Sequence, residues 1–212
     1  LVNMPVSTVA HFIRISRQLA GDNLALAAYV NTRMTYGVNR RVETQLGAGD
    51  GVAPNLSGIA DTGNFTAHGY AAAALGTLKK VVLIRKIIGD LWAAGGVADA
   101  ILLNPADFAQ LEIDMFDTNA NNLVRFSTDA AGQARLFGVP IIQSNGIVAD
   151  TVYVGAFAMA GTVYNREGIV VEMSDSDSTN FTTNLITIRA ERRLALTIER
   201  PTQIIGGDLT PL

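Results

Sequence analysis

The chain contains no cysteine, which removes disulfides, thiolate metal sites and a cysteine nucleophile together and leaves its redox compartment unspecified. Histidine is scarce. The two present, His11 and His68, belong to no His-Glu-x-x-His pair, and no Gly-x-Ser-x-Gly elbow supplies a nucleophile for them to serve. Both read as ordinary hydrogen-bonded or surface histidines. Positive charge is not in excess, with 16 Lys plus Arg against 19 Asp plus Glu and a net charge of −3, which argues against a nucleic-acid reader relying on massed basic residues. No apolar run reaches the roughly 20 residues of a membrane span, because Gly, Lys, Arg or Asp interrupts each candidate. The opening LVNMPVSTV shows neither an initiating Met nor a basic-then-apolar secretory signal and is expected to belong to a fragment or processed product.

What is present is a globular composition: 212 residues, 49% hydrophobic and 17% charged, enough for one or two domains with a buried core. Residues 6–16, VSTVAHFIRIS, are rich in β-branched residues and predict a strand. After a break at Gly21-Asp22, Leu24, Ala27, Ala28, Met34, Val38 and Val42 recur at helical spacing with Asp22 as N-cap, predicting a long helix over about 22–46. Residues 47–69 are Gly-rich without periodicity and are expected to form an extended surface loop. A helical pattern resumes over 77–94. DAILLNP then reads as a buried strand closed by Asn104-Pro105, which cap the next helix. FGVPIIQSN, TVYVGAF and GTVYNREGIVVEMS predict further strands, and TQIIGGDL closes the chain. Helices and strands mix without a regular βαβ alternation, so the fold class is α+β.

The motif search returns little chemistry. In GAGDGVAP the third glycine of a dinucleotide fingerprint falls on Val52, and no Gly-Lys-Ser/Thr follows. Asp175 and Asp177 stand two apart in SDSDS, yet the Gly and distal Glu of a calcium loop are missing. No cofactor and no metal are expected. The unusual segment is NLITIRAERRLALTIERP, residues 184–201, whose period of two puts Ile186, Ile188, Ala190, Leu194, Leu196 and Ile198 on one face with Arg192 as the sole intruder. Thr187, Arg189, Glu191, Arg193, Thr197 and Glu199 take the other. A strand of about 15 residues spans about 50 Å, well beyond the usual length of about 5 to 6 residues. Such a strand suits an elongated subunit that meets neighbours. A carboxylate flanked by two arginines reads as an ion-pair ladder or interface, and as a general base only if it were desolvated.

Taken together, NFTTNLITIRAERRLALTIERPTQIIGGDL resembles the C-terminal signature of tailed-phage major capsid proteins of the Hong Kong 97 type. VSTVAHFIRISRQLAGDNLALAAYVNTRMTYGVNRRVETQLGAGDG resembles that family's strand, spine helix and Gly-Asp-Gly, while ILLNPADFAQL and LFGVPIIQSN resemble its Asn-Pro junction and Gly-Leu-Pro-Val-Val segment. The resemblance implies a peripheral domain, residues 1–50 and 161–200, with a spine helix at about 22–46 and a long strand at about 184–199. An axial domain would take 51–160 and 201–212. It implies self-assembly into hexamers and pentamers of an icosahedral shell around packaged double-stranded DNA, without sequence-specific DNA binding and without a membrane. Expected partners are copies of itself and the phage's portal and scaffolding or protease proteins. The expected location is the virion capsid, assembled in the bacterial host cytoplasm. Arg189, Glu191, Arg193, Glu199 and Arg200 become subunit-interface candidates.

The expected role is structural, not enzymatic. Some members of the family join subunits by an isopeptide bond between a hairpin lysine and an asparagine, assisted by a glutamate seven residues later. Asn184 and Glu191 match those two positions. The hairpin precedes the first strand in the family, and Lys79, Lys80 and Lys86 all fall in the expected axial part, so no crosslink and no closed shell is expected of this chain alone. Three other readings stand beside this one: an encapsulin-like nanocompartment shell enclosing cargo enzymes, an amide-forming enzyme using Asn184 and Glu191, and a generic ligand-binding domain.

Overall fold

The computed structural model describes residues 5–22, 24–71, 79–117 and 126–211. The chain opens with β1 (Ser7–Ser16), α1 (Arg17–Asp22) and α2 (Leu24–Ala48), followed by β2 (Thr66–Ala67), α3 (Lys79–Ala93), β3 (Ala100–Leu103) and α4 (Pro105–Asp117). The small strands β4 (Ser127–Thr128), β5 (Ala134–Leu136), β6 (Val139–Gln143) and β7 (Thr151–Gly155) come next. Then follow α5 (Phe157–Ala160), β8 (Gly161–Ser174), α6 (Asn180–Thr183), β9 (Leu185–Ile198), a single 3-10 turn at Pro201–Gln203 and β10 (Ile204–Asp208). The mixture is α+β.

Two sheets organise these elements. The first is antiparallel in the order β1-β9-β8, with Ser7 opposite Leu194 and Ser16 opposite Leu185. β-branched and apolar residues at alternate positions give β1 and β9 one face to bury, and α2 covers it. Val9, Val30, Met34, Val38, Val42, Ile188, Ala190 and Leu194 form that core. On the helix, Val30, Met34, Val38 and Val42 follow the i, i+4 spacing that the sequence pattern predicted. Asp22, Leu24, Ala27 and Ala28, which carry the expected cap and first apolar positions, have side chains outside the described residues, as do Thr77 and Leu78 ahead of α3.

The second sheet runs β2-β10-β7-β3-β6-β5-β4. Its core joins Ile84, Ile87 and Leu91 of α3 and Leu111 of α4 to Ile101, Leu103, Val152 and Val154. Asn104 caps α4 as its sequence foretold, with Oδ1 accepting the Ala106 N–H at 3.0 Å. A third, smaller cluster of Ile147, Tyr153, Ala160 and Ile204, with Ile198 at its side, lies where the end of β9 meets the second sheet.

Two expectations are corrected. Helix begins earlier than expected and takes in Gly21 and Asp22, because Arg17–Asp22 form α1. One glycine costs a helix only about 1 kcal/mol. Residues 47–69 are not a free surface loop either. Gln45, 7% exposed, accepts the Leu56 N–H on Oε1 at 2.9 Å, and Ile59 and Ala60 donate to Leu46 O and Gly47 O at 2.8 and 2.9 Å. The segment folds back over the end of α2, and it lies this close because a Cβ on Gly49 would strike Leu56 O and Gln45 O.

Candidate assembly surface

β9 divides its side chains much as its period requires. Ile188, Ala190 and Leu194 are buried beneath α2. Arg192, the charge on their side, turns Nε to Asn165 Oδ1 at 3.0 Å, next to the point where β8 slips register between Asn165 and Glu167. The bulge opens the edge of the sheet and lets the guanidinium out.

The opposite face of this sheet is not covered by α2. Cross-strand register sets it out in rows: Phe12, Arg189 and Glu172 in one, Ala10, Glu191 and Val170 in the next, Thr8, Arg193 and Glu167 beyond. Arg189 Nη2 lies 2.8 Å from Glu172 and its Nε 3.3 Å from Glu191, while Arg193 reaches Glu167 at 3.9 Å. Phe12 stands 61% exposed among these charges, and a groove of about 720 Å³ runs past Phe12, Glu172, Thr187 and Arg189. Glu199 and Arg200 are exposed just beyond the strand. Their backbone N–H groups donate to Ala160 O at 2.8 and 3.0 Å, and their side chains form no ion pair among the described residues.

Asn184 and Glu191 do not meet. Asn184 sits at φ 55 and ψ 42 as the C-cap of α6, the left-handed conformation that asparagine tolerates better than most residues. Its carbonyl accepts the Arg17 N–H at 3.0 Å. Seven residues of extended chain put Glu191 about 23 Å away, so a reaction centre using both would draw them from two chains. The Glu191 side chain is 25% exposed and lies against the Arg189 guanidinium.

The acidic SDSDSTN segment is held by cations of its own chain: Asp175 pairs with Arg17 at 3.4 Å and Asp177 with Arg14 at 3.2 Å. Thr187 Oγ1 donates to Asp177 at 2.9 Å and accepts from Nδ2 of the buried Asn180 at 2.6 Å. The Thr187 hydrogen bond, and after it Arg14, holds the Asp177 carboxyl below its ordinary range. A carboxylate depressed in the fold supports docking fully above its unfolded value and loses that support as pH falls through the lower folded value. The segment therefore stays docked down to about pH 4, the ordinary aspartate value, and releases below it. Asp177→Asn should loosen it at neutral pH and remove the acid-induced release. An amide NMR titration of residues 174–180 checks this, and a release midpoint at or above pH 4 contradicts it.

His68 accepts the Tyr70 N–H on Nδ1 at 3.0 Å and meets Asp208 O with Nε2 at 2.9 Å, so Nε2 carries the proton and ties the segment after β2 to β10. His11 lies along β1. Among the described residues no cluster of three or more His, Asp or Glu could hold a metal ion.

A sequence profile of the Phage capsid family matches residues 1–209. The chain belongs to the phage capsid family. It is 34% identical over 205 residues to the major capsid protein of Enterobacteria phage HK97, an alignment covering 97% of this chain and 52% of that protein. The chain thus spans about half the length of the curated relative it matches. Among solved structures, the capsid of an empty GTA particle superposes with a TM-score of 0.72 at 17% identity, covering 99% of this chain and 75% of that one. The major capsid protein of phage G superposes at 0.71 and 8% identity over 96% and 71%. The SrpI encapsulin of Synechococcus elongatus gives 0.65 and 12% over 97% and 74%. At these identities the structures establish the shared Hong Kong 97-type fold.

In this phage capsid family chain, Tyr29, Arg33, Tyr36, Arg40 and Arg41, on the flank of α2 beside β1, border a groove of about 590 Å³ against His11 and Ile13, with Val30 and Met34 also lining it. The signal was present as the spacing 29, 33, 36, 40, one stripe of a helix, but a net charge of −3 averages it away.

Proposed function

We propose that this chain is the shell-forming part of a phage major capsid protein, which assembles with copies of itself into hexamers and pentamers around packaged double-stranded DNA. The observation that carries the reading is 34% identity across 97% of the chain to the major capsid protein of phage HK97. In this reading α2 with the β1-β9-β8 sheet is the peripheral domain, residues 1–50 and 161–200, and the seven-stranded sheet with α3 and α4 is the axial domain, 51–160 and 201–212. The uncovered face of the first sheet supports this assignment. Phe12 and Val170 lie there between ion pairs, an apolar and charged mixture suited to fixing register between subunits more than to adding affinity. Arg189, Glu191, Arg193, Glu199 and Arg200 act at those contacts.

The role is structural, located in the virion capsid after assembly in the host cytoplasm, with portal and scaffolding or protease proteins as further partners. Asn184 serves as a helix cap and Glu191 as a ladder charge. An encapsulin shell shares the fold at a TM-score of 0.65, a likeness of fold alone, so the phage reading is preferred.

Negative-stain electron microscopy of the gene product, with the same sample on a denaturing gel, tests the proposal. Closed polyhedral particles that denature to a single monomer band are expected, enclosing DNA when isolated from induced host cells. Particles filled with a co-purifying enzyme would favour the nanocompartment. A ladder on the gel would move Asn184 and Glu191 from architecture to chemistry.

A further inference from the structure

We propose that the exposed flank of α2 beside β1 is a sequence-independent binding surface for nucleic-acid phosphates. Tyr29, Arg33, Tyr36 and Arg40 form its stripe, Arg41 lies beside them, and His11 closes the groove of about 590 Å³. Tyr29 and Tyr36 are 60% and 59% exposed, and Arg33 lies over the Tyr29 ring at 5.9 Å. Among the described residues none of the three guanidiniums meets a carboxylate, whereas Arg14, Arg17, Arg135, Arg189 and Arg193 all do. Among the described residues no acid lines the groove. Glu43, on the same stretch of helix, accepts the Ser144 hydroxyl at 2.5 Å. The groove wall is built for close approach, since a Cβ on Gly37 would come within 2.6 Å of the His11 ring.

Unpaired cations gathered on one face of a chain of net charge −3 select an anionic occupant, and their arrangement selects among anions. Arg33 and Arg40 stand about 10 Å apart along the helix axis. A duplex carries a phosphate about every 3.4 Å per strand, so such a row finds a partner whatever the base sequence, and exposed phenols add hydrogen bonds without reading bases. A second copy of this chain is the poorer occupant, because its acidic segment already pairs Asp175 with Arg17 and Asp177 with Arg14. The inference deepens the shell reading by naming where the enclosed nucleic acid is held, and rests on that reading for the presence of DNA.

The test measures anisotropy of a labelled mixed-sequence DNA duplex against the chain over a range of salt. The triple variant Arg33→Gln/Arg40→Gln/Arg41→Gln is compared with a charge-matched control on paired arginines, Arg14→Gln/Arg17→Gln/Arg135→Gln, and thermal melts confirm that both fold. Three phosphate contacts predict a log-log salt slope of about −2.7, or about 40-fold weaker binding between 50 and 200 mM salt. The first triple should lose most of that slope and the control should keep it. An unchanged slope in the first triple, or equal loss in both, overturns the proposal, and so does tighter competing binding by poly-glutamate, which would assign the groove to an acidic peptide. Electron microscopy of the full gene product, in parallel, separates the two readings. Wild-type particles with unchanged binding in the first triple remove this surface and leave the shell standing. Slope loss without wild-type particles keeps the surface and removes the shell.

Discussion

Leu194→Ala should destabilise the chain by about 3 kcal/mol, whereas Arg193→Ala, one residue away, should change stability by less than about 1 kcal/mol. Leu194 is fully buried against the underside of α2, in the cluster with Met34, Val38 and Ile188, so truncation removes its transfer free energy and leaves a cavity. Arg193 is 46% exposed on the other face and reaches Glu167 only at 3.9 Å, a pair that solvent screens. For a domain of this size the first change corresponds to a fall in Tm of about 10 °C and the second to at most a few degrees. Calorimetry on unassembled subunits gives the comparison, because assembly would add its own stabilisation. A larger effect from Arg193→Ala than from Leu194→Ala would mean that the two faces of β9 are assigned the wrong way round. Should Arg193→Ala instead leave stability intact and impair particle formation, the uncovered face is where subunits meet.

The same strand marks how far residue order alone carries. Its period of two separated core from surface for Ile188, Ala190 and Leu194, since alternation is a local property of extended chain. Its partners were not legible. Ser7 meets Leu194, and nothing in either segment encodes a pairing across that much chain. Met34, Val38 and Val42 announced α2 because they form one buried stripe. α1 was missed because a single glycine was read as a stop when its penalty is small. The folding back of residues 56–60 over α2 was missed for a different reason: it is contact between backbones, made by the absence of side chains, and leaves no apolar periodicity to read. Asn184 and Glu191 were legible as a pair only through resemblance to a family. Their geometry gives each a local structural use, a left-handed cap and one rung of a charge ladder.

Backbone contact also underlies the second large effect, at the junction of the two sheets. Gly47 near the end of α2 and Gly146 in the turn after β6 lie against each other: a Cβ on Gly47 would strike Gly146 O and come within 2.7 Å of its carbonyl carbon, and one on Gly146 would strike Glu43 O and come within 2.8 Å of that carbonyl carbon. Both obstacles are main chain, in a helix and in a turn. That turn is itself fixed, by Ser144 Oγ on Glu43 at 2.5 Å, the Gly146 N–H on Ser144 Oγ at 3.0 Å and Asn104 Nδ2 on Ile147 O at 2.8 Å. Neither side can yield as a flexible side chain would. Gly47→Ala and Gly146→Ala should each cost about 2 to 3 kcal/mol, a Tm lower by about 5 to 10 °C. The double variant should cost less than the sum, since either methyl already forces the same two segments apart. Gly89→Ala supplies the opposite sign within one experiment. Gly89 lies on the exposed side of α3 with nothing within 4 Å of an added Cβ, so the substitution should stabilise by about 0.5 to 1 kcal/mol through helix propensity alone. If all three variants melted alike, close approach at the junction would not be what holds the two sheets together. If the junction pair fell while Gly89→Ala rose, the relative orientation of the two sheets would be set by a contact that admits no side chain.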